Sequence, residues 1–306
     1  MPTQPLEALL YRDMSKATAK DIIGIASPLL QELVNYGTNA FKRCETSTTG
    51  NENEDLAVLM LYLHIIEMSD GVEVLISQSC PVPAEPLVRS IFEGLLSIEY
   101  ILEANYVQRS LSWLAMYAHN RIDSYESLDL SSPRGQLFQK ALDNDKSAKN
   151  VTLPTRVKVQ AAIANLQHLL ARPQFQSLEA EIKSQNKLLK RKPQWYQLFG
   201  GPKNLRELAR HLKREAQYVA FYGHWSSISH AQDISRFIGK APDGGGRFKI
   251  LRDPSGIHGV TLNTASMFLN ATRLVLGKFR PEENVASWYK REIRERFSAV
   301  IAKDAG

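Results

Sequence analysis

Residues 55–105, DLAVLMLYLHIIEMSDGVEVLISQSCPVPAEPLVRSIFEGLLSIEYILEAN, hold the two segments whose reading decides the fold. Asp55–Ser79 reads as a helix. Its first half is apolar nearly all round (Leu56, Val58, Leu59, Met60, Leu61, Leu63, Ile65, Ile66), the mark of a helix buried at the centre of a core. The apolar run spans about 11 residues before Glu67 and Asp70 interrupt it, and Asp70 and Gly71 loosen the middle. A membrane span needs ~20 residues, so a membrane protein is not expected. Pro81–Pro86 punctuates the start of a second helix: proline suits the first turn, where its missing N–H is not needed, and Glu85 suits the helix dipole. That helix runs over Leu87–Asn105, with Val88, Ile91, Phe92, Leu95, Leu96, Ile98, Ile101 and Leu102 as its apolar positions.

Helical periodicity continues outward in both directions. Upstream, Asp21–Cys44 places Ile22, Ile25, Leu29, Leu30, Leu33 and Phe41 near one face, and polar Cys44–Asp55 reads as a loop. Downstream, Val107–Leu128 continues after a break. Ser131–Lys149 is polar with a short helix at best, and Leu153–Lys190 reads as a long helix or helical pair. Asn204 caps a short amphipathic helix. Ala216–Ile238, Thr264–Lys278 and Glu282–Lys303 complete the helices. Two alternating runs, Arg247–Arg252 and Ile257–Leu262 around Asp253–Gly256, predict a β-hairpin within 244–262. The expected architecture is mainly all-α: a multi-helix bundle forming a single domain over 1–306, with a polar helical insertion at 131–192 and one hairpin near the C-terminus.

Composition supports an ordinary globular protein. The chain has 306 residues, 43% of them hydrophobic and 23% charged, which excludes disordered and fibrous classes. Two cysteines, Cys44 and Cys80, are too few for a disulfide scaffold or a zinc cluster. The opening MPTQPLEALLYRDMSK has no basic segment followed by an apolar run, so no signal peptide is read and a cytoplasmic location is expected. A net charge of +6 leans weakly towards polyanions.

Two segments carry candidate chemistry. Arg89 and Glu93 stand at i and i+4 on an otherwise apolar helix, share a face and can pair. Buried charges must be paired, so both a structural ion pair and a functional one fit. The second segment is YVAFYGHWSSISHAQDISRF, Tyr218–Phe237. Tyr222, Ser226, Ser229, Asp233 and Arg236 fall in one helical stripe, with His230 beside Ser226 and Ser227, and Gly223 permits close approach by another helix. A polar interhelical seam fits these residues; so does the wall of a site in which His230 is the acid–base group and Tyr222 and Ser226 donate or accept hydrogen bonds.

The stretches PLVRSIFE (86–93), NLRELA (204–209) and Tyr-x3-Tyr-x3-Ser-x2-Ser-His (218–230) resemble a bacterial helical protein family of unknown function, itself similar to the HEPN superfamily (higher eukaryote and prokaryote nucleotide-binding). The resemblance covers about 55–236, the insertion apart. It implies RNA or a nucleotide as partner, metal-independent ribonuclease chemistry, homodimers, and a role in bacterial defence or stress. HEPN ribonucleases carry Arg-x4–6-His on one helix. Here Arg206-x4-His211 fits that pattern on a short surface-type helix. The later helix has His230 but His224 where the arginine would stand, so Arg89 from the other helix is the candidate to supply it. Arg89, Glu93, Tyr222, Ser226 and His230 are the candidate catalytic set. A non-catalytic module binding a nucleotide, small ligand or partner protein at the same seam stays open beside it.

Lys187, Lys190, Arg191 and Lys192, near Trp195 and Tyr196, are the candidate nucleic-acid contacts, with a solvated helix end as the alternative. His64, Glu67 and Asp70 sketch a metal site on one helix face, but the paired Glu-x-x-His elements of such bundles are missing, so no metal is expected. Gly244–Gly246 precedes a strand rather than a helix and reads as a joint, not a phosphate loop. No cofactor is expected.

Overall fold

The computed structural model describes residues 10–48, 52–150, 153–229, 234–240, 244–249 and 251–303. The helices are α1 (Arg12–Thr18), α2 (Lys20–Glu45), α3 (Glu52–Ser77), α4 (Pro81–Glu103), α5 (Tyr106–Leu128), α6 (Pro133–Asn144), α7 (Arg156–Leu170), α8 (Gln176–Leu189), α9 (Leu205–His211), α10 (Glu215–Gln217), α11 (Gly223–Ser229), α12 (Ile257–Phe279), α13 (Val285–Trp288) and α14 (Arg294–Ala302). The fold is mainly all-α. None of the described helices is long and apolar enough to cross a membrane.

The chain forms two compact units. One comprises residues 1–51, 58–103 and 209–306; the other comprises 52–57 and 104–208. The insertion expected over 131–192 is thus part of a larger unit that also takes in α5 and the segment after α8. In the sequence the boundary is hidden because α5 is as periodic as α4, and periodicity does not say which neighbour a helix packs on.

In the first unit α12 packs on α4 and α2, and α14 packs on α2. The buried side chains include Leu29, Leu30, Leu33, Tyr62, Ile65, Phe92, Leu95 and Phe268. Gly37 lets α2 approach α12 closely: a Cβ there would run into the Phe268 ring. The buried Tyr62 hydroxyl shares a 2.9 Å hydrogen bond with Thr272, so this polar tip is satisfied. In the second unit α5 packs against α6 and α7. Leu111, Leu114, Phe175, Leu178, Ile182 and Leu198 fill its core. Pro173 explains why Leu153–Lys190 is two helices: it opens a short 3₁₀ turn, Pro173–Phe175, between α7 and α8.

The expected hairpin is corrected. Ile257–Leu262 is not a strand but the first turns of α12. The alternation there extends over only six residues. The helical spacing of Ile257, Val260, Thr261, Thr264, Ala265, Phe268, Ala271, Thr272 and Val275, all buried, extends over the whole of α12 and prevails. Asp253 accepts from the Ser255 backbone N–H and Pro254 sits in the turn, so the residues read as a hairpin bend lead into a helix. Among the described residues the strands are β1 (Ile238–Lys240) and β2 (Gly246–Phe248), antiparallel, with Ile238 opposite Phe248 and Lys240 opposite Gly246.

Candidate functional site

Three charged side chains of α4, Glu85, Arg89 and Glu93, recur every four residues and so line one face. The segment 211–226 of the same unit runs antiparallel along that face. His211 pairs with Glu103 at 2.7 Å, Arg214 pairs with Glu99, and His224 pairs with the buried Glu85 at 3.0 Å. Between these pairs lies the candidate site.

Arg89 donates in three directions: Nε to Glu93 Oε1 at 3.0 Å, Nη2 to the Tyr222 hydroxyl at 2.7 Å, and Nη1 to Ser226 Oγ at 3.3 Å. Tyr222 closes the ring by donating to Glu93 Oε1 at 2.9 Å. Its hydroxyl therefore accepts from the cation and donates to the anion. The guanidinium also lies 4.7 Å from the centre of the Tyr222 ring. The cluster is open to solvent on one side, with side-chain exposures of 23% for Arg89 and 42% for Glu93.

Local backbone chemistry aims Tyr222 at this point. The helix that continues α10 widens into a π-turn over Tyr218–Tyr222 before α11 resumes. Single π-turns often occur at functional sites, because the extra residue re-aims one side chain. Tyr218 stacks on Tyr222 with ring centres 4.7 Å apart, and Phe92 packs at 6.3 Å on the site side of α4. Trp225, buried, stacks on Phe221 and meets Phe92, pinning the start of α11.

The electrostatics follow from this placement. Burial, then the neighbouring Glu93 carboxylate and its hydrogen bond, push the Tyr222 hydroxyl up to about 12, so it is a proton donor at neutral pH. Burial works against the Arg89 charge, but the bond to Glu93 and the proximity of Tyr222 outweigh it, and its pKa moves up.

Arg89, Glu93, Tyr222 and Ser226 thus converge within hydrogen-bonding distance. His230, the fifth member of the candidate set, lies outside the described residues, as does Asp233. Among the described residues, none comes within 4 Å of where a Cβ on Gly223 would stand, so the close helix approach expected there is not made by them. His211, from the Arg-x4-His match, pairs with Glu103 and packs edge-on against Tyr100 at 5.6 Å. The basic candidates divide in the second unit. Lys187, Lys190 and Arg191 are exposed, whereas Lys192 is half-buried and paired with Asp123, so its charge is already matched. His64 Nε2 shares a 2.7 Å hydrogen bond with Ser90.

Sequence reasoning missed two features. Glu85 was read as a dipole-compensating residue, yet it is a buried partner of His224; the four-residue step from Glu85 to Arg89 to Glu93 was the available signal. The π-turn leaves no signal in a single sequence, since hydrophobic periodicity tolerates one extra residue.

No curated protein and no solved structure matches the chain. A family model does, over residues 55–246, a span that contains all of the Arg89 cluster. The chain belongs to that family, described as a family of unknown function (DUF5677).

Proposed function

We infer that this protein is a HEPN-like effector that acts on RNA as a metal-independent ribonuclease, in a bacterial defence or stress setting. The observation that carries the reading is the Arg89 cluster: a guanidinium held in a fixed orientation by Tyr222, Ser226 and Glu93, at a partly open seam between two helices. Arginine in such a fork suits a phosphodiester. In the proposed reaction a base takes the proton of a 2′-hydroxyl and its oxygen attacks phosphorus. The bond from phosphorus to the 5′-oxygen breaks, and that oxygen receives a proton. The products are a 2′,3′-cyclic phosphate and a 5′-hydroxyl. Arg89 stabilises the charge on the phosphorane through the N–H groups left free by the cluster, Tyr222 and Ser226 hold the guanidinium in place by hydrogen bonds, and His230 moves the proton. Exposed Lys187, Lys190 and Arg191 add charge for the RNA backbone. The resemblance also implies a homodimer.

A second reading, a non-catalytic module for a nucleotide or partner protein, draws on a specific feature: Glu93 already neutralises Arg89. The two readings separate in one assay. Purified protein is incubated with mixed RNA in EDTA, and product ends are analysed for wild type and His230→Ala. The ribonuclease reading expects cyclic-phosphate ends from wild type and at least a ~100-fold slower reaction from the variant. RNA that stays intact with wild type, while a nucleotide binds saturably, favours the module.

A further inference from the structure

A second cleft lies in the same unit, apart from the Arg89 cluster, and it goes beyond the ribonuclease reading. Lys249, Leu251, Arg252 and Asp253 stand between its two lobes. One lobe, of about 400 Å³, is walled by the start of α4 (Pro81, Val82, Pro83) together with Phe237 and Leu251. The other, of about 550 Å³, lies towards α1 and the hairpin, where Met14 and Phe248 meet Lys240. Lys249, Leu251, Arg252 and Asp253 line both. These volumes fall in the range of small-ligand pockets.

Charge and polarity are distributed unevenly between the walls. Among the described residues of the lining, Lys240, Lys249 and Arg252 stand against a single carboxylate, Asp253, and that carboxylate already accepts from the Ser255 backbone N–H. The ammonium groups of Lys240 and Lys249 make no hydrogen bond or ion pair among the described residues. Arg252 is fixed in place: it holds a left-handed backbone (φ 70°), its carbonyl accepts from Ser15 at 2.7 Å, and its guanidinium donates to the Gln78 carbonyl and contacts the Cys80 sulfur. A non-glycine residue rarely adopts that backbone, so the surrounding bonds impose it. The first lobe differs in kind. Pro81 and Pro83 have no N–H, and with Val82, Phe237 and Leu251 they offer hydrocarbon rather than the hydrogen-bonding edges that a nucleobase or sugar would need.

We propose that this cleft is a binding site for a small organic anion with a hydrocarbon body, of the medium-chain carboxylate kind. The head group lies at Lys249 and Arg252 on the shared wall. The hydrocarbon lies along Pro81–Pro83, Phe237 and Leu251.

Isothermal calorimetry on the full chain, with no RNA present, tests this through four probes: decanoate below its aggregation concentration, decyltrimethylammonium, acetate and AMP. The proposal expects one saturable site for decanoate, bound at least ~10-fold more tightly than each of the other three. Lys249→Glu should weaken decanoate about 10-fold while the far-ultraviolet circular dichroism stays unchanged. Should that variant fail to fold, Lys249→Gln, which removes the same charge, is read by the same criterion. The proposal is overturned by the absence of a saturable decanoate site, by equal binding of the cationic analogue, by tighter binding of AMP, or by a folded lysine variant that binds decanoate as wild type does.

Discussion

Tyr222 holds opposite roles towards its two charged neighbours, accepting from Arg89 and donating to Glu93. That requires the phenol to keep its proton, and burial beside a carboxylate secures it by moving the pKa from 10.0 to about 12. The sign follows. A folded-state pKa above the unfolded one means that the stabilisation is fully present below about pH 10 and is lost as pH rises through about 12. Tyr36, Tyr62 and Tyr106 are also raised by burial, so the global unfolding curve does not isolate Tyr222. A tyrosinate absorbance titration of wild type minus Tyr222→Phe does. The difference should show one phenol with a midpoint near 12; a midpoint near 10 would mean that the hydroxyl is not held as described. At this scale much of the site was legible. Arg89 and Glu93 declare themselves by a four-residue step within an apolar helix, and Tyr222 and Ser226 by polar groups crowded into a few turns. Glu85 was not legible as a partner of His224, because a contact between helices distant in sequence leaves no local spacing to read.

At the scale of elements, the sequence stated helices more reliably than their interruptions. α2, α3, α4 and α5 follow from sustained apolar periodicity. The hairpin was misplaced because six alternating residues, Ile257–Leu262, fit both a strand and the start of a helix, and only the buried positions further along α12 decide between them. The strands that form are three residues each, too short for alternation to register. Close helix packing also has a local test. Gly37 is where α2 meets Phe268 of α12, and a methyl group there must displace a fully buried ring. Glycine to alanine normally stabilises a helix interior by up to ~1 kcal/mol. Overpacking typically costs ~1–3 kcal/mol and should prevail. Gly37→Ala is therefore expected to lower stability by about 1 kcal/mol in chemical denaturation. A gain in stability would mean that α2 and α12 are not in close contact at this point.

For the whole molecule, a net charge of +6 and a cluster that presents an oriented guanidinium both suit a phosphodiester partner. Sequence periodicity gave the all-α class but not the division into two units, since α5 carries no mark of which helices it joins. The ribonuclease reading assigns the chemistry to one side chain, and the most direct measurement is single-turnover RNA cleavage in EDTA by Arg89→Lys beside wild type, with RNA binding measured on the same samples. Lysine keeps the charge but carries its donors on one nitrogen, without the planar fork whose three nitrogens reach Glu93, Tyr222 and Ser226. The prediction is RNA binding within about threefold of wild type and cleavage slower by ~100-fold or more, as expected when a stabiliser of developing charge is removed. Cleavage by Arg89→Lys at the wild-type rate would contradict the assignment.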